Sequence, residues 1–147
     1  MKIERRPMAF VNILGKTARC APDEWPIFAK ELRNNIIKNG LYPTGPVMFQ
    51  MENSFETAEY TIQVPVNEEV DVEGLEGYSF NRILIFDDGL LLRHSDSEES
   101  LEESYKLLRT CAKEFGLKLQ EPFYNIHIPV YGDAIIDIYA PVQEEPA

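Results

Sequence analysis

The feature that most constrains this chain is that it is written twice. Residues 22–66 align without a gap on residues 98–142, at an offset of 76. Lys30, Leu32 and Arg33 meet Lys106, Leu108 and Arg109; Gly40-Leu41 meets Gly116-Leu117; Pro46 meets Pro122. Ala58, Ile62, Pro65 and Val66 meet Ala134, Ile138, Pro141 and Val142, which makes ten identities in 45 positions. Average residue usage gives roughly three by chance. The matches fall on helix stripes, helix stops and strand ends, where structure restricts sequence.

Each copy reads as one strand–helix–strand–strand unit. In the first, MAFVNIL (8–14) is a strand, Asp23 is the expected N-cap, and Pro26 sits in the first turn, where a missing N–H costs little. Trp25, Phe28, Leu32 and Ile36 recur on one helical face, and Asn39-Gly40 supplies a left-handed stop. In the second, the cap lies within Ser95-Asp96-Ser97, Leu101, Tyr105, Leu108, Cys111 and Phe115 form the stripe, and Gly116 ends it. Two extended runs follow each helix, closed by Pro65 and Pro141, which cannot donate to a ladder. RILIF and LLLRH flank Asp87-Asp88-Gly89, which reads as a hairpin. The strands before the helices align poorly at the 76-residue offset, as if the loops before the helices differ in length.

The expected fold is therefore α+β: two duplicated units about a pseudo-two-fold axis, with a mainly antiparallel sheet and both helices on one face. We expect a single domain over 1–147, with repeat 1 over about 3–66, an acidic connector at 67–78, repeat 2 over about 79–142 and a frayed tail at 143–147. The groove left open between the repeats is the expected ligand site.

Composition narrows the partners. The formal charge of −11 repels phosphate backbones, so direct nucleic-acid binding is not expected. No apolar run is long enough to span a membrane, and the N-terminus lacks a signal-peptide core, which gives a cytoplasmic expectation. Two cysteines are too few for a disulfide framework, and Cys111 on the helical stripe reads as a buried, inert thiol. No metal-ligand spacing, P-loop or dinucleotide motif is present, so no cofactor is expected.

Gly45-Pro46 ahead of VMF, and His94, Leu101, Tyr105 and Gly116 at their spacing, give the chain a resemblance to the GyrI-like small-molecule-binding domain, which also forms the effector-binding half of bacterial AraC- and MerR-type regulators. The resemblance covers almost the whole chain. It implies a small organic ligand, and here a free-standing domain, since about seven residues precede the first strand. The family's glycine two after the histidine is Asp96 here. Its Gly-Pro-x-x-Glu-x-Tyr strand becomes Glu121, Pro122, Phe123, Tyr124, Asn125, Ile126 and His127. Asn125 cannot act as a general base, which argues against hydrolysis and removes a counter-charge for cations.

On alternation, Phe123, Asn125 and His127 share one strand face and are expected to face the groove, if Tyr124, Ile126 and Ile128 pack under the helices. Asp137 and Tyr139 pair with Thr61 and Gln63 in the repeat register, and Phe49 and Met51 with Asn125 and His127. The expected ligand-binding set is Phe49, Met51, Phe123, Asn125, His127, Asp137 and Tyr139; His94 is expected to cap or lie on the surface. Two other readings stay open: a protein-interaction or inhibitor module using the acidic surface, and a small-molecule hydrolase. Monomer and homodimer both fit.

Overall fold

A computed structural model describes residues 3–53, 57–95, 101–130 and 133–143. Along the chain run β1 (Ile3–Arg5), β2 (Met8–Cys20), α1 (Trp25–Lys38), β3 (Met48–Asn53), β4 (Ala58–Pro65), β5 (Tyr78–Phe86), β6 (Gly89–Ser95), α2 (Leu101–Glu114), β7 (Tyr124–Val130) and β8 (Asp133–Pro141). The fold is α+β. Its residues divide into two compact units, Ala9–Leu84 and Met1–Met8 with Ile85–Ala147. The first-repeat unit orders its strands β3-β4-β2-β5; the second-repeat unit orders them β7-β8-β6-β1, the same arrangement. The ladders are antiparallel. Among the described residues no helix is long and apolar enough to cross a membrane.

The two units repeat down to single main-chain hydrogen bonds. Helices α1 and α2 both have 14 residues and begin 76 residues apart. Leu41 N–H donates to Ile36 O at 3.1 Å, and Leu117 N–H to Ala112 O at 2.8 Å. Thr44 N–H reaches Pro65 O at 2.9 Å, and Gln120 N–H reaches Pro141 O at 2.8 Å. Val66 N–H donates to Asn12 O and Val142 N–H to Asp88 O. Gly40 and Gly116 both take positive φ (79° and 68°), as a left-handed helix stop requires.

Several expectations are corrected. The 76-residue register does extend into the strands before the helices: Ile13 pairs with Pro65, and Gly89 with Pro141. Main-chain register persists there while side-chain identity has been lost. Asp87-Asp88-Gly89 is not a hairpin, because β5 lies beside β2 while β6 lies between β1 and β8. A two-residue type I′ turn needs positive φ at both central positions, and neither Asp88 nor Gly89 has it. Glu24, not Asp23, is the α1 N-cap, with no side-chain cap; its Oε1 instead accepts from Ala21 N–H at 2.9 Å. The α2 cap expected within Ser95–Ser97 lies largely outside the described residues. The tail is held at its first residue, since Gln143 N–H donates to Lys118 O at 2.7 Å; residues 144–147 lie outside the described set.

The two helices cover their sheets with different chemistry. Under α1, Trp25 stacks on Phe49 (ring centroids 4.4 Å apart) and Phe49 meets Tyr60, with Leu32 and Ile36 both 2% exposed. Under α2, Leu108 and Ala112 are buried, but so are Ser104, His94 and Asn125. Ala112 takes the core-facing place, which leaves Cys111 half-buried and Phe115 exposed; Cys20 is the buried cysteine.

Candidate functional site

The strand registers divide the expected ligand residues between sheet faces. In the second-repeat unit, Asn125 pairs with Ile138, and His127 with Ile136, as His94 does from the other side. This face lies under α2. Tyr105 Oη donates to Asn125 Oδ1 at 2.6 Å, Tyr105 packs edge-on against Phe123, and His94 Nδ1 shares a 2.8 Å hydrogen bond with Ser104 Oγ. The alternation is therefore as expected but the face is reversed: Phe123, Asn125 and His127 belong to the helix-covered side. Helix α2 could claim them because Tyr105 and Ser104 offer partners where α1 has Ala29 and Phe28. In the first-repeat unit, Phe49 and Met51 pair with Ile62 and Tyr60 on the face that α1 covers. His94 is buried at 6% exposure rather than on the surface, because Ser104 satisfies it. Ser104 is fully buried, so this serine–histidine pair ties helix to sheet and is closed to a substrate.

Asp137 and Tyr139 lie on the opposite face. Tyr139 pairs with Tyr124, and Asp137 with Ile126 and Arg93. Phe86 caps this face, with ring centroids 5.5 Å from Tyr124 and 6.1 Å from Tyr139. Arg93 grips Asp137 with two hydrogen bonds, Nε to Oδ1 at 2.8 Å and Nη2 to Oδ2 at 3.1 Å. Tyr139 Oη donates to Arg6 O at 2.8 Å. A Cβ on Gly89 would overlap the Tyr139 ring, which explains the glycine that sequence alone reads as a turn residue. The first-repeat counterpart of Tyr139, Gln63, is also buried, and its Oε1 has no hydrogen-bond partner among the described residues.

Burial pushes the Tyr139 hydroxyl up to about 12, helped by the Asp88 charge and opposed by Arg6. Burial raises Tyr124 as well. The folded state thus holds the Tyr139 proton more tightly than the unfolded chain does. Its contribution to stability should be complete below pH 10 and lost as the pH climbs towards 12. Urea midpoints measured across this range should fall more steeply for the natural chain than for Tyr139→Phe. Equal slopes would remove Tyr139 as the cause.

Beside the aromatic cluster opens a cleft of about 680 Å3, lined by Ile85, Phe86, Asp87, Asp88, Gln120, Val142 and Gln143. Its size suits a small organic molecule. Ile85, Phe86 and Val142 give an apolar wall, Gln120 and Gln143 bring two amides, and two adjacent carboxylates stand at the rim. Arg5 holds Asp88 through Nε at 2.8 and 3.1 Å, and this hydrogen-bonded ion pair lowers the Asp88 pKa. None of these seven residues was in the expected ligand set. The Asp87-Asp88 pair was visible in the sequence, but reading it as a turn hid its place beside Phe86. Among the described residues no cluster of histidine, cysteine and carboxylate side chains could hold a metal.

A family model described as "Domain of unknown function (DUF5085)" matches residues 9–144. The chain belongs to this DUF5085 family. Among curated proteins, none matches it. Solved structures show where the DUF5085 fold recurs. The EcmrR C-terminal domain is 13% identical with a TM-score of 0.72, over 99% of this chain and 100% of that one. EcmrR in a DNA complex gives 12% identity and a TM-score of 0.77 over 97% of this chain, which spans 58% of that longer one. A hydrolase from Listeria innocua is 12% identical (TM-score 0.63, 97% of this chain and 92% of that one). SAV2435 bound to tetraphenylphosphonium is 9% identical (TM-score 0.55, 97% and 94%). At these identities the likeness is one of fold.

Proposed function

We propose that this chain binds a small organic cation bearing aromatic groups, in the cleft between the Ile85-Phe86-Val142 wall and the Asp87-Asp88 rim. The observation that carries this reading is the meeting of an apolar wall bearing the Phe86 ring and two adjacent carboxylates in one cleft of suitable volume. Aromatic faces and carboxylates both attract cations, and a net charge of −11 draws cations in from a distance. The neutral Asn125 does not weigh against this, because it faces α2; Asp87 supplies the counter-charge instead, beside the Asp88 carboxylate that Arg5 already holds. The fold's occurrence in SAV2435 bound to tetraphenylphosphonium supports a ligand-binding role.

Calorimetric titration with tetraphenylphosphonium and with neutral triphenylphosphine oxide tests the reading. The cation should bind saturably. Phe86→Ala should weaken both probes about tenfold, the equivalent of one aromatic contact of about 1.4 kcal/mol. Asp87→Asn should weaken the cation alone, by about threefold, since an exposed charge contributes under about 1 kcal/mol. Absence of saturable binding, or an equal effect of Asp87→Asn on both probes, would sink the assignment.

A further inference from the structure

The first-repeat unit, Ala9–Leu84, holds a cavity of its own, of about 400 Å3, within the size range of small-molecule sites. Its apolar walls come from two sides. Leu14, Leu32 and Ile36 belong to the buried layer between α1 and its sheet, while Val70, Val72 and Leu75 come from the connector between β4 and β5. The connector is held in two successive turns: Leu75 N–H donates to Val72 O at 3.0 Å, and Tyr78 N–H to Leu75 O at 3.2 Å. Its end is tied to β2, since Lys16 Nζ donates to Glu76 O at 3.0 Å and Thr17 N–H to Gly77 O at 2.9 Å. A wall already fixed spares a ligand the cost of ordering it.

If the connector served only to cover α1, apolar side chains would face it. Instead, α1 lines the cavity with the amides of Asn35 and Asn39. Asn39 Nδ2 donates to Asn35 O at 2.7 Å, which leaves Asn39 Oδ1 available. The Asn35 side-chain amide has no partner among the described residues. Asp71, on the connector side, accepts from Glu73 N–H through Oδ1 at 3.0 Å and keeps Oδ2. The polar groups offered are therefore chiefly acceptors. A cation is disfavoured, because Tyr78, which also lines the cavity, already carries the Lys16 ammonium 4.4 Å from its ring centre. We propose that this cavity is a second binding site, for a neutral aromatic molecule bearing an N–H or O–H donor. The ring system covers the leucine, isoleucine and valine walls, and the donor meets the amide oxygen of Asn35 or Asn39. The site differs from the cation cleft in charge, and it lies wholly within the other unit.

Fluorescence titration with N-phenyl-1-naphthylamine tests the site. This neutral dye has one N–H and brightens in apolar surroundings; its N-methyl derivative lacks the donor. The natural chain should bind the dye saturably. Leu75→Asp, at a side chain 51% exposed, should weaken both dyes by at least about tenfold. Asn35→Leu, also at an exposed position, should weaken the parent dye by about fivefold and leave the N-methyl dye no weaker. Urea midpoints of both variants, expected to match the natural chain, check that the fold is kept. Phe86→Ala, in the cation cleft, should change neither dye. No saturable binding, a dye indifferent to Leu75→Asp, equal weakening of both dyes by Asn35→Leu, or binding lost in Phe86→Ala overturns the proposal.

Discussion

Leu108→Ala is expected to cost about 2–5 kcal/mol of stability, and Leu32→Ala a loss of the same order. Both leucines occupy the same place in the duplicated unit, midway along a helix and pressed on its sheet, at 0% and 2% exposure. Truncation removes the transfer energy of the lost methyl groups and leaves a cavity that the packed strands beneath cannot collapse to fill. The expectation differs between repeats in one respect. The sheet under α1 is aromatic, with Phe49 and Tyr60 packed together and Phe49 against the helix's own Trp25, rings able to shift against one another, whereas α2 meets its sheet through hydrogen-bonded side chains held in fixed geometry. Leu108→Ala should therefore lie nearer the upper end of the range. Urea unfolding of the two variants checks this, and a loss below about 1 kcal/mol at either site would mean that the helix is not seated as described.

The second large effect concerns the polar layer that only α2 possesses. Tyr105→Phe removes the donor to Asn125 Oδ1, a 2.6 Å bond to a residue with no exposed surface. A buried amide oxygen deprived of its donor costs about 1–3 kcal/mol, more than the hydrogen bond itself contributes. The double variant Tyr105→Phe/Asn125→Leu removes both partners and keeps the volume, so it should recover most of the loss. The first repeat already shows that the apolar solution works, with Ala29 and Phe49 at these two positions. Thermal unfolding of the two variants should place the double well above the single. If the double falls as far as the sum of its parts, the bond is not what stabilises this layer.

Much of the fold was legible because it depends on local rules applied twice. The apolar spacing of Leu32 and Ile36, the glycine stops and the closing prolines each restrict the backbone directly, and each recurs 76 residues later at the same place. What was not legible depends on partners distant in sequence. Asp87-Asp88-Gly89 has the composition of a tight turn, but β5 pairs with β2 and β6 with β8, and the glycine answers to the ring of Tyr139. Likewise, alternation correctly separated Phe123, Asn125 and His127 from Tyr124 and Ile126, yet no periodicity says which set meets a helix. Tyr105 and Ser104 decide it, through hydrogen bonds formed only after α2 has docked. The cleft escaped for the same reason: Phe86, Gln120 and Gln143 come from three separated stretches, and none has a motif.

The proposed ligand site is tested most directly by where a bound cation acts on the molecule. Titration of tetraphenylphosphonium into isotopically labelled protein, followed by backbone and aromatic NMR shifts, gives that position. The account predicts saturable shifts centred on Phe86, Asp87, Asp88, Gln120 and Gln143, with ring-current changes passing to Tyr124 and Tyr139 behind Phe86. Saturable shifts centred instead on the second, more apolar cavity, which Leu32, Ile36, Val70 and Leu75 line in the first-repeat unit, or no saturable shift at all, would contradict it.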